Sequence, residues 1–140
     1  MYKFLKIIIF LIAFSFNNQL VFSQGKLNQR LTELNRIHKQ GRLMFVGNTP
    51  QIFLNIEDKI LDMGDYFLPL ENVKMEYAYV NRNLPDKKYH GVRFSCYEGN
   101  CIKIMDDGNG SGITSFFKTK KDCYDFINSL NELKKALDEK

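Results

Sequence analysis

The sequence predicts an α+β domain: an antiparallel, strongly bent sheet of about seven strands, a long amphipathic C-terminal helix and an extra N-terminal helix. Three observations carry this expectation. Short runs of alternating apolar residues, separated by Gly-, Asn- and Asp-rich breaks, fill residues 43–118. A three- and four-residue apolar rhythm runs from Cys123 to Leu137, and a similar one from Leu27 to Ile37.

The chain opens "MYKFLKIIIFLIAFSFNNQLVFSQ", in which Lys3 and Lys6 precede an apolar run from Ile7 to Phe14 and a polar stretch leads to the small residue Ser23. That is the pattern of a secretory signal, expected to span residues 1–23. The run falls well short of the ~20 residues a membrane-spanning helix needs, and Asn17, Asn18 and Gln19 interrupt it. Residues 24–42 then form the N-terminal helix, with Leu27, Leu31, Leu34 and Ile37 on one stripe and Gly41 at its end.

Residues 43–140 hold the main domain. "RLMFV" leads to a "GNTP" break, and "QIFLNIEDKILDMG" reads as a hairpin turning at Glu57–Asp58. "GDYFLPLEN" reads as a connection. In "VKMEYAYV", Val73, Met75, Tyr77 and Tyr79 share one strand face and Lys74 and Glu76 the other. "NRNLPDKK" is a loop. "GVRFSCY" and "NCIKIMD" read as a tight hairpin across Glu98–Gly99, and "DDGNGSG" separates them from a last strand, "ITSFFKT". Thr119 is placed to cap the final helix, with Asp122 near its positive end. Cys123, Phe126, Ile127, Leu130, Leu133 and Leu137 form the core face of that helix.

This order of elements resembles pleckstrin-homology-like (PH-like) folds. The residues behind the resemblance are "PLENVKMEYAYV", "VRFSCYEGNCIKIM" and "SFFKTKKDCYDFINSLNELKKAL", within residues 43–137. It implies a bent barrel closed at one end by the C-terminal helix, with the N-terminal helix lying outside. Phosphoinositide-binding members carry basic residues around the first hairpin loop, where this chain has "GNTP", so lipid binding does not carry over.

Loss of Lys3 and Lys6 with the signal would reduce a formal net charge of only +4, leaving no basic excess of the kind that marks a nucleic-acid partner. Two pairings among the three cysteines are the candidates. Cys96 and Cys101 sit five positions apart around a turn and form a possible disulfide in an exported chain, although strand parity puts Cys101 on the face of Lys103 and Met105 and demands a bulge. The alternative joins Cys96 to Cys123, which is otherwise a free buried thiol. His38 and His90 lack the paired spacing of a zinc site, and no metal is expected. His90 lies too far along its strand from Cys96 to activate a thiolate. "DDGNGSGIT" has an EF-hand-like alternation at Asp107, Asn109 and Ser111, but Lys118 stands where the bidentate Glu belongs. Its glycines precede a strand, not the helix of a phosphate loop.

No catalytic set emerges and no cofactor is implied. The function expected is that of a small exported, non-enzymatic interaction module, periplasmic or secreted, for an unidentified protein or envelope component. No nucleic-acid partner and no stable membrane span after signal removal are expected. Tyr77, Tyr79, Lys87 and Lys88 form its possible interaction surface. The alternatives are a carrier of a small apolar ligand inside the barrel, and a small envelope hydrolase gathering His90 with scattered acids.

Overall fold

The structure is a computed structural model and describes residues 23–44, 47–81 and 87–139. The expected signal therefore lies outside the described residues except at Ser23. The strands are β1 (Phe53–Asn55), β2 (Ile60–Asp62), β3 (Tyr66–Pro69), β4 (Val73–Asn81), β5 (Lys88–Cys96), β6 (Ile102–Ile104), β7 (Gly108–Gly110) and β8 (Gly112–Phe117). Helix α1 covers residues 23–41 and α2 covers Lys120–Asp138. The class is α+β with antiparallel sheets, as the sequence predicts. The strands divide into a five-stranded sheet, β1-β2-β3-β6-β7, and a three-stranded sheet, β4-β5-β8. Among the described residues no closed barrel forms, which corrects the PH-like closure.

Four local expectations change with that division. "GDYFLPLEN" is not a simple connection: Tyr66–Pro69 is β3, paired on one side with β2 and on the other with β6. Its alternation is plain in the structure, where Tyr66 and Leu68 are buried and Phe67 and Pro69 half-buried. The glycine-rich segment contributes β7, paired with β6. "RLMFV" makes no strand where it is described: Arg42 forms a single bridge with Phe117, Leu43 N–H donates to the Phe116 carbonyl, and Phe45 and Val46 lie outside the described residues. Most consequentially, β5 and β6 are not a hairpin. They belong to different sheets.

The turn between β5 and β6 is thus a crossing from one sheet to the other, and the disulfide Cys96–Cys101 closes it, with the Cα atoms 5.8 Å apart. Parity does not constrain two strands that never pair, so no bulge is needed. Gly99, at φ 60, supplies the left-handed turn residue. The other crossings meet at the same corner. β7 passes into β8 through Ser111 alone, whose carbonyl accepts from Cys96 N–H at 2.8 Å. The Asn72 carbonyl, just before β4, accepts from Tyr97 N–H at 2.9 Å. The disulfide therefore ties the corner at which the chain changes sheets. Converting both cysteines to alanine is expected to lower unfolding free energy by about 2 kcal/mol, a small value because the closed loop is short. Denaturant melts of the oxidised, reduced and double-alanine proteins check this, and equal stability in all three would deny the bridge its role.

Helix α2 begins with a complete capping box: Thr119 accepts from Asp122 N–H and the Asp122 side chain accepts from Thr119 N–H. Its expected core face is buried at Cys123, Phe126, Leu130, Leu133 and Leu137, and half-buried at Ile127. Helix α1 does not sit outside the core. Leu27 and Leu34 join the same buried cluster as Leu61, Tyr66, Phe94 and Ile102. The Asn35 side chain also accepts from Ile52 N–H at 2.7 Å and donates to its carbonyl at 2.9 Å, pinning the segment that leads into β1. Gly41 closes α1 against α2 so tightly that a Cβ there would stand 2.8 Å from the Asp122 Cβ. The Tyr66 hydroxyl and Ser115 hydroxyl share a buried hydrogen bond that links the two sheets through β3 and β8. None of the described helices is long and apolar enough to cross a membrane.

Candidate functional site

The face of β4 that turns toward α2 is covered unevenly. Val73 is buried, Met75 and Tyr77 are half-buried, and Tyr79 is 54% exposed. The nine-residue pairing of β4 with β5 sets Tyr79 opposite His90, and Tyr77 becomes the diagonal neighbour of that imidazole. The Tyr77 hydroxyl and His90 Nδ1 share a 2.8 Å hydrogen bond, and Tyr79 stacks on His90 at 5.0 Å. From the other side Tyr124 of α2 stacks on Tyr77 at 5.5 Å. Four rings thus form one run, Tyr124, Tyr77, His90 and Tyr79.

Two lysines lie on that run. Lys120 Nζ stands 5.3 Å from the centre of the Tyr77 ring and 5.8 Å from that of Tyr124, and Lys88 Nζ lies 5.9 Å from that of Tyr79. These are cation–π distances. Neither ammonium has a carboxylate within ion-pair distance among the described residues. The acids nearest in sequence to Lys120 are engaged elsewhere: Asp122 caps the helix, and Asp125 pairs with Lys121. The phenol of Tyr77 is held above its ordinary pKa range, first by desolvation and then by neighbouring Cys123, Tyr124 and Tyr79.

Of the residues the sequence singles out, the fold brings Tyr77, Tyr79 and Lys88 together. Lys87 goes elsewhere, 5.4 Å from the centre of the Tyr89 ring on the opposite side of the sheet. Asp86, the acid next to Lys87 and Lys88 in sequence, lies outside the described residues. His90, Lys120 and Tyr124 were not legible as members. Their signal is slight: Lys120 and Tyr124 are four apart on α2, beside the buried stripe but off it.

Among the described residues His90 meets Tyr77 and Tyr79 and forms no ion pair with an acid. Among the described residues no group of three or more His, Cys, Asp or Glu side chains could hold a metal ion. Cys123 is a free, fully buried thiol whose pKa burial pushes up to about 12, which makes it a poor nucleophile. A second polar group, away from the ring run, leads from the buried His38 and Arg42 to the exposed Asp65. His38 Nε2 meets Arg42 Nη1 at 3.1 Å, and Arg42 Nη2 reaches Asp65 Oδ2 at 3.1 Å. No protein-family model, curated protein or solved structure matches the chain.

Proposed function

We propose that the protein is an exported, non-enzymatic binding module that holds an acidic segment of another protein against the Tyr124–Tyr77–His90–Tyr79 run. The observation that carries this reading is a pair of cations, Lys88 and Lys120, that have no ion-pair partner among the described residues and lie over the rings of Tyr79, Tyr77 and Tyr124. Tyr124 stacks on Tyr77 at an interplanar angle of 22° and Tyr79 on His90 at 25°, while Tyr77 and His90 are tilted at 32°. Their faces are thereby largely used, and electropositive ring edges are left for a ligand. Edges, phenol hydroxyls and ammonium groups together favour anionic groups. The Cys96–Cys101 disulfide fits an oxidising compartment, and with the N-terminal pattern of Lys3, Lys6 and the Ile7–Phe14 run it supports export.

Fluorescence anisotropy with labelled poly-glutamate tests the reading. Saturable binding that weakens with salt is expected, and Lys88→Glu with Lys120→Glu should weaken it at least about tenfold by removing two attractions and adding two repulsions. Binding that ignores the double reversal, or none by the wild type, defeats the proposal.

A further inference from the structure

Among the described residues β4 is a long edge strand with one side unused. In the order β4-β5-β8 it is terminal, and it pairs with β5 through nine consecutive residues without a bulge. The other edges are blunted. β1 and β7 have three residues each, and the end of β8 is covered by Leu43 N–H on the Phe116 carbonyl and by the Arg42–Phe117 bridge. Among the described residues, nothing pairs with the outer backbone edge of residues 73–80. β4 contains no proline or glycine to discourage an added strand.

Its exposed side chains point to the partner. Lys74 and Glu76 stand two residues apart on the face away from α2, and both are exposed. Glu76 lies opposite Arg93 of β5 and Lys74 opposite Ser95, yet neither makes an ion pair among the described residues. One cation and one anion at this spacing are self-complementary, whereas an acidic strand added here would meet Glu76 as well as Lys74. A twofold axis requires that residues on the same face oppose one another. Centred on Lys74 or on Glu76, antiparallel pairing sets like charges face to face. Centred on Tyr77, it leaves Lys74 against Val80 and Glu76 against Ala78. Centred on Met75, it sets Lys74 against Glu76 twice and Val73 against Tyr77 twice.

We propose that β4 pairs antiparallel with β4 of a second copy about a twofold axis at Met75, joining two three-stranded sheets into one. The seam shares Tyr77 with the ring run but uses neither Tyr79 nor either lysine of that run, so this goes beyond the binding reading and does not depend on it. The test is sedimentation of the protein as recovered from expressing cells, at about 100 μM, where a complex of micromolar affinity is saturated. The wild type is expected to be a dimer. Lys74→Glu and Glu76→Lys should each weaken it about tenfold, because each turns two cross-strand attractions into repulsions. An equimolar mixture of the two variants, and the double swap in one chain, should recover wild-type affinity; both side chains are exposed, so far-UV circular dichroism should not change. A monomeric wild type overturns the proposal. So do single reversals without effect, which would move the axis to Tyr77, and a monomer whose β4 amides become protected from hydrogen exchange only when poly-glutamate is added.

Discussion

Replacing Phe126 by alanine is expected to lower the unfolding free energy by about 4 kcal/mol, within the range for a fully buried phenylalanine. The side chain is completely inaccessible. Its ring centre lies 5.1 Å from that of Phe117 in β8, 5.6 Å from that of His38 in α1 and 6.4 Å from that of Phe94 in β5. One side chain of α2 therefore joins both helices to the three-stranded sheet. Truncation removes the burial of an aromatic ring and leaves a cavity that three separate elements must shrink to fill. Tyr124, two positions earlier and 44% exposed, is the control. Its replacement by alanine loses a surface stack and is expected to cost no more than about 1 kcal/mol. Urea midpoints of the two variants decide the matter: equal losses would mean that α2 does not close the core. A loss of this size is a large part of the 5–15 kcal/mol typical of a whole domain, so Phe126→Ala should also melt well below the wild type.

What the sequence made legible was local. The stripe from Cys123 to Leu137 and the Thr119–Asp122 box depend on residues within a turn or two of each other, and both appear as expected. The hairpin at Glu57–Asp58 is also local, and β1 and β2 pair around it. The misreadings concern which sheet a strand joins. Val92, Phe94, Ile102 and Ile104 have the alternation of a hairpin, but alternation reports only that a strand has a buried face. It does not report the edge partner, and β3 and β8 outcompete the nearer strand for β6 and β5. Tyr66–Pro69 was obscured because Pro69 and the flanking Gly64 are turn residues by composition. The candidate surface was half visible for the same reason: Tyr77 and Tyr79 are strand neighbours, whereas placing His90 beside them needs the β4–β5 register and placing Tyr124 there needs the docking of α2.

His38 should make the protein's stability depend on pH between about 4.5 and 6.5. A guanidinium only donates hydrogen bonds, so the His38 Nε2 that faces Arg42 Nη1 accepts, and the ring proton sits on Nδ1. Among the described residues Nδ1 is buried without a hydrogen-bond partner of normal geometry, although the nearby Pro50 backbone favours protonation. Burial and then the neighbouring Arg42 cation hold the imidazole neutral down to a pKa of about 3. In the unfolded chain the same group takes a proton near pH ~6.5. Between those values the unfolded state binds more protons, so this contribution is complete above about pH 6.5 and shrinks as the pH falls toward 3. The slope is about 1.4 kcal/mol per pH unit, or about 3 kcal/mol between pH 6.5 and 4.5. Below that window Glu33 and Glu132, whose pKa values are lowered first by hydrogen bonds from Arg36 and Lys135, lose their pairings in the same direction. His38→Gln keeps an acceptor for Arg42 and cannot take up the proton. The wild-type urea midpoint should therefore fall steadily from pH 6.5 to 4.5 relative to that of the variant, whatever the variant costs at neutral pH. Parallel pH profiles for the two proteins would show that His38 titrates normally in the folded state, and that the contact between the ring and Arg42 is not closed to water.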